Sequence, residues 1–152
     1  MTQTVTATIN KPTLKLGSER EDAIELQKLL AHWEYFFGSL DGNFDSEVEY
    51  AVKGYQHRVF LVEDGIVGPK TWKALYTGAP VDMPVLRRGS SGQAVRTLQG
   101  VLQENGYYPY EIDGEFGPLT EVAVRSFQMD SGLPNTGVVD YRTWHALSKV
   151  FH

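Results

Sequence analysis

The chain contains no cysteine, which excludes disulfide staples, thiol nucleophiles and zinc–thiolate sites. No apolar run approaches the length of about 20 residues needed to span a bilayer, so no membrane insertion is expected. Positive charge is scarce: 14 Lys and Arg face 19 Asp and Glu, a net charge of −5. Without a basic face to neutralise phosphates, nucleic acid is not an expected partner. The start, Met1 to Asn10, lacks the basic residues and apolar block of a signal peptide. The histidines, His32, His57, His145 and His152, have no metal-binding spacing. Asp41-Gly42-Asn43-Phe44-Asp45 opens like a calcium loop, but Ser46 replaces the needed glycine and Val52 the bidentate glutamate. No metal and no cofactor are expected, and no serine has a nucleophile-elbow setting.

What is present is a repeated phrase. Asp113-Gly114-Glu115-Phe116-Gly117-Pro118-Leu119-Thr120 reads as a tight turn running into a helix. Asp-Gly forms the turn, and Pro118 suits the first helical position, where its missing N–H costs nothing. Asp64-Gly65-Ile66-Val67-Gly68-Pro69 repeats the device. The whole chain then repeats itself 72 residues on, without a gap, since Leu14 matches Leu86, Leu26-Gln27 matches Leu98-Gln99, Asp41-Gly42 matches Asp113-Gly114, and Thr71-Trp72 matches Thr143-Trp144. Such a register means two copies of one structural unit. The expected division is an extended arm over 1–13, a first repeat over 14–76, a linker over 77–84 stiffened by two prolines, and a second repeat over 85–152.

Each copy reads as three helices, giving an all-α chain of two tandem three-helix bundles. Ser18-x-x-Glu21 and Ser90-x-x-Gln93 read as capping boxes opening the first helix. Ala23, Leu26 and Leu30, and then Val95, Leu98 and Leu102, form its inward face at helical spacing. Helix two is expected after Asp45 or Gly117, with Val48, Ala51, Val52 and Tyr55, or Ala123, Val124 and Phe127, inward, and Thr120 reaching back to the free N–H groups at its start. Trp72 or Trp144 and Leu75 or Leu147 on a short third helix close the core. Ile66-Val67 and Val138-Val139 are placed to make a short bridge.

These residues resemble the peptidoglycan-binding domain family. Its pattern, L-x-x-G-S-x-G-x-x-V-x-x-L-Q-x-x-L, then D-G-x-F-G-x-x-T-x-x-A-V-x-x-F-Q, then G-L-x-x-x-G-x-V-x-x-x-T-W-x-x-L, runs through the second copy from Leu86 to Leu147. The first copy departs from it with Arg20, Asp45, Val48 and Phe60. The resemblance implies non-catalytic binding of cell-wall peptidoglycan, through glycan strand or stem peptide, in the cell envelope, with a wall hydrolase as a partner in trans. Repeats, linker and arm fill the chain and are expected to leave no catalytic domain. The alternative is a protein–protein adaptor that reuses the fold in a phage or envelope complex.

Candidate ligand residues come from the loops. Trp33, Tyr35, Phe36 and Phe37 in the first copy, and Tyr107, Tyr108 and Tyr110 in the second, fall outside helical periodicity. Of these, Tyr35, Phe37 and the three tyrosines of the second copy are the expected ligand contacts. A tyrosine offers a flat face to sugar C–H groups and a hydroxyl for a polar bond. Packing against the bundle is the competing role for all of them. Asp41 and Asp113 could bond wall amides but also suit their turns, and Arg125 completes the set. Gln27, Gln56, Gln99 and Gln128 are read either as ligand amides or as buried ties between helix and loop. The second copy, closer to the family pattern, is expected to bind better.

Overall fold

A computed structural model of the chain describes residues 11–18 and 21–152, so most of the expected N-terminal arm lies outside the described residues. The chain divides into two compact units between Val81 and Asp82. The described residues are all-helical. The first unit holds α1 (Glu21–His32), α2 (Ser46–Arg58) and α3 (Pro69–Thr77); the second holds α4 (Gln93–Glu104), α5 (Pro118–Asp130) and α6 (Tyr141–Lys149). Extended pairing is limited to isolated antiparallel bridges, Leu14 with Val67, Leu86 with Val139, and Ser91 with Glu115. The first two use the valines of the apolar dipeptides expected to form a bridge.

The helices form where apolar residues recur every three or four positions, and those stripes are buried. Ala23, Leu26 and Leu30 of α1 meet Val48, Val52 and Tyr55 of α2 and Trp72 and Leu75 of α3. Val95, Leu98 and Leu102, Val124 and Phe127, and Trp144 and Leu147 fill the second core. Trp72 and Trp144 also fasten the chain that leads into their units. The Trp72 indole N–H donates to Pro12 O at 2.9 Å, and that of Trp144 donates to Pro84 O at 2.8 Å. Lys11 adds a tie of its own in the first unit, 2.6 Å from Glu25 and 3.4 Å from Asp22, while the Tyr76 hydroxyl donates to Glu25.

Helix starts differ from expectation in two respects. The capping boxes do not form. Ser18 and Ser90 instead accept from the N–H groups of Lys15 and Arg87, closing the turns that precede α1 and α4. The N-cap of α4 is Gly92. Thr120 does not cap α5 either; its hydroxyl accepts from the Gln99 amide at 3.0 Å. Asp45 does cap α2, accepting from Val48 N, and Gly68-Pro69 and Gly117-Pro118 open α3 and α5 with proline in the first turn.

The first two helices of each unit end in a residue with left-handed backbone. In the second unit these are Gly106 and Gly132; in the first they are Glu34 (φ 68) and Phe60 (φ 64). The same reverse turn follows each: Tyr35 N bonds Leu30 O, Leu61 N bonds Gln56 O, and Tyr107 N and Leu133 N bond Leu102 O and Gln128 O. The left-handed conformation costs a side-chain-bearing residue about 1 kcal/mol and glycine almost nothing. Glu34 is exposed. Glu34→Gly is therefore expected to stabilise the first unit by about 0.5–1 kcal/mol, read as a higher urea midpoint at unchanged slope. A lower midpoint would show that the Glu34 side chain holds the loop.

Candidate functional site

One buried device shapes the loops of both units, and it occurs four times. A glutamine inside a helix reaches across to the Gly of the next turn and to the carbonyl after it. Gln27 Oε1 accepts from Gly42 N at 2.9 Å, and its amide donates to Asp41 Oδ1 at 3.0 Å and Asn43 O at 3.2 Å. Gln99 repeats this with Gly114 N, Asp113 Oδ1 and Glu115 O, and adds Thr120 Oγ1 and the Tyr108 hydroxyl. Gln56 does the same with Gly65 N, Asp64 Oδ1, Ile66 O and Thr71 Oγ1. Gln128 completes the set with Gly137 N, Val138 O, Thr136 Oγ1 and Thr143 Oγ1. These glutamines are at most 1% exposed, so they are structural ties and not ligand amides.

Asp41 and Asp113 are members of these turns. Each Oδ1 accepts the N–H two residues on, Asn43 at 3.0 Å and Glu115 at 2.9 Å. That backbone bond first, and the glutamine amide second, hold both carboxyls below the usual carboxylate value. Both side chains lie at the surface, so their outward faces remain open to water. Long side chains cover two of the turn glycines. A Cβ on Gly114 would come 3.0 Å from Arg96 Nε, and one on Gly137 would come 3.1 Å from Arg125 Nε. Arg125 also donates to Asn135 O at 2.8 Å and lies 3.5 Å from Glu121. It braces the Thr136-Gly137 turn.

The loop aromatics divide sharply. Phe37 is 84% exposed, and Tyr110 is 47% exposed. Tyr35 and Tyr107 are half-buried, edge-on against Tyr55 and Phe127. The Tyr107 hydroxyl donates to Asp130 at 2.7 Å, which raises its pKa. Tyr108 corrects the expectation of a surface contact. It is only 3% exposed, and its hydroxyl bonds Glu111 O and the Gln99 amide, so it supports the loop from inside. Tyr110 packs edge-on against it with centroids 5.5 Å apart.

Sequence periodicity gave no sign of the concave site. In the second unit a cleft of about 180 Å³ opens between the end of α5 and the start of α6. Gln128 and Thr143 form its floor, Leu133 and Pro134 an apolar wall, and Thr136, Asp140 and Arg142 a polar rim. Asp140 caps α6 through Arg142 N and Thr143 N. The signal was the second Gln-turn pair, Gln128 with Thr136-Gly137, which fixes both walls. At the matching positions the first unit has Val62 for Pro134, Asp64 for Thr136, Gly68 for Asp140 and Lys70 for Arg142. Among the described residues no group of His, Asp and Glu is placed to hold a metal, and no helix is long and apolar enough to cross a membrane.

The family model of the peptidoglycan binding domain matches this chain twice, over residues 19–75 and 91–147. The chain belongs to the peptidoglycan-binding domain family. Its two units are thus the two copies anticipated from the repeat. It is 35% identical over 109 residues to an N-acetylmuramoyl-L-alanine amidase, CwlM, of Mycobacterium tuberculosis, covering 68% of this chain and 27% of that one. It is 43% identical over 65 residues to a spore cortex-lytic enzyme of Bacillus cereus, covering 43% and 25%. Among solved structures, the SleB N-terminal domain shares 41% identity, with 45% of this chain and 93% of that one covered and a TM-score of 0.44. The chain therefore spans about a quarter of the length of these two enzymes.

Proposed function

We propose that this peptidoglycan-binding chain holds the bacterial wall without cutting it, through both units and more strongly through the second. The observation that carries this reading is the family match itself, present twice. Two relatives with differently named activities, an amidase and a cortex-lytic enzyme, share this part with the chain. A part common to enzymes of different action suits retention on the wall better than cleavage. Hydrolysis then falls to a partner in trans, and the chain works in the cell envelope.

In the second unit the cleft is the principal contact. Its size suits one small group such as an acetamido or an alanyl residue. Arg142 and Thr136 supply polar bonds, and Leu133 and Pro134 an apolar wall. Tyr110, Tyr107, Asp113 and Arg125 extend the surface along the neighbouring loops. In the first unit Phe37, Tyr35 and Asp41 present the corresponding face. A polymer that repeats its unit lets two modest sites act together, with a gain of up to about 10²–10⁴ when both engage.

Retention of the full chain on purified sacculi tests the reading. The wild type is expected to sediment with the wall and to release no soluble fragments. Arg142→Ala is expected to weaken retention about tenfold, and Phe37→Ala less; both should leave the melting temperature unchanged. Failure of the wild type to sediment would favour the adaptor reading, and released fragments would make the chain an enzyme.

A further inference from the structure

Among the described residues one buried side-chain donor is left without a hydrogen bond, the Nε of Arg58 in the first unit. Arg58 ends α2, with its guanidinium carbon 5.5 Å from the Trp33 ring centroid and 6.0 Å from that of Tyr55. Its Nε is buried and bonds nothing, and its terminal nitrogens make no hydrogen bond or ion pair with a described residue. Three arginines of the second unit, Arg88, Arg96 and Arg125, each donate to an oxygen of the protein, and no buried arginine nitrogen there is left unbonded among the described residues. A guanidinium carries five donors and no acceptor, and a desolvated N–H left unmade is costly. Stacking on aromatic faces explains why Arg58 is held, but it satisfies none of those donors.

The wall beside it is built, not incidental. The Trp33 indole N–H donates to Leu75 O at 2.8 Å. Its six-membered ring lies so close to Gly78 that a Cβ there would come within 2.3 Å. Gly78, at φ 70, caps α3 and leaves the ring that space. Tyr35 stands edge-on to Tyr55, 5.5 Å between centroids. The two residues that carry left-handed strain in this unit, Glu34 and Phe60, directly follow Trp33 and closely follow Arg58. Strain retained where glycine would relieve it is a mark of a functional segment. The second unit keeps the edge-on pair, as Tyr107 against Phe127, but not the cation or the indole. Arg58 is replaced there by Asp130, which accepts from Tyr107, and Trp33 by Asn105.

We infer that Arg58, held over Trp33 and Tyr55, is a carboxylate-binding subsite of the first unit. A carboxylate suits the terminal edge of the guanidinium, which takes two oxygens side by side. The flat Trp33 indole accepts the apolar atoms next to the charge. In peptidoglycan the carboxylates belong to the stem peptide, so on the wall-binding reading, upon which this assignment of a polymer rests, the first unit reads peptide. The carboxylate assignment itself rests on the residues alone.

The test uses the full chain and the Trp33 indole N–H resonance. Acetyl-D-alanyl-D-alanine is titrated beside its C-terminal amide and beside inorganic phosphate, with Arg58→Gln and Arg58→Lys as variants. The free carboxylate is expected to shift the Trp33 signal to saturation and the amide to leave it in place. Arg58→Lys should weaken the response about tenfold, because an ammonium lacks the fork. Arg58→Gln should abolish it. The amide control on the wild type decides the question even where a variant folds poorly. An equal response to acid and amide, a response to phosphate alone, one that survives Arg58→Gln, or none at all would overturn the subsite. Sacculus retention is measured in parallel. Retention with a silent Trp33 overturns the subsite and spares the wall-binding reading. A carboxylate response without retention upholds the subsite and overturns that reading.

Discussion

Gln99→Leu is expected to destabilise the second unit by about 3–5 kcal/mol, a large share of the 5–15 kcal/mol that holds an ordinary domain folded. Leucine has nearly the volume of glutamine, so no cavity opens. The loss is polar. Gln99 Oε1 accepts from buried Gly114 N at 2.9 Å, and its amide serves Asp113, Glu115 O, Thr120 and Tyr108 between 3.0 and 3.2 Å. Asp113 can turn to water because it is exposed, whereas Gly114 N, Thr120 and Tyr108 cannot. Each buried group left unmade costs about 1–3 kcal/mol. Gln103→Leu is the control, since Gln103 is exposed and bonds only Tyr110 O. It should change stability by no more than about 0.5 kcal/mol. Urea unfolding followed at the Trp144 indole reads both. A loss below about 1 kcal/mol for Gln99→Leu would show that the turn does not depend on its tie.

Trp144→Ala is expected to cost about 3–5 kcal/mol, the usual range for a buried large aromatic. The residue is 1% exposed at the centre of the second core, and its removal also leaves Pro84 O without its donor. Trp144→Phe separates the two effects. It keeps most of the packing and gives up the bond, so a loss of about 1–2 kcal/mol is expected. Calorimetry of the two variants would show whether packing or the indole bond dominates. Equal losses would assign the whole effect to the bond.

Much of this architecture was legible because the code for it is periodic. Leu26, Leu30, Leu98 and Leu102 announce their helices by spacing alone, and the offset between Trp72 and Trp144 announces the duplication. What failed were assignments that hang on one hydroxyl or one ring. Ser90 has the sequence setting of a cap, but its hydroxyl is taken by Arg87 N in the preceding turn, and Gly92, at φ 116, starts the helix without it. Tyr107, Tyr108 and Tyr110 look alike in sequence. Only the reach of Gln99 and of Glu111 O decides that the middle one turns inward. The cleft was illegible because its walls come from loop, turn and helix start together. Arg58 reads in sequence as one more cation at a helix end, and only its buried, unbonded Nε and the rings beside it distinguish it.

The ties within each unit differ greatly in span. The glutamine ties to the turn glycines join residues 15 apart (Gln27, Gln99) or 9 apart (Gln56, Gln128), whereas the Trp72 and Trp144 indole bonds join residues 60 apart. Short loops close with little entropy and early, long ones late. During synthesis the first unit therefore acquires its helix–turn pairs as they emerge and locks only when Trp72 meets Pro12. Every residue needed for that closure precedes Val81. The first copy can finish before the second has been made, which limits exchange of like elements between the copies, the characteristic failure of tandem repeats.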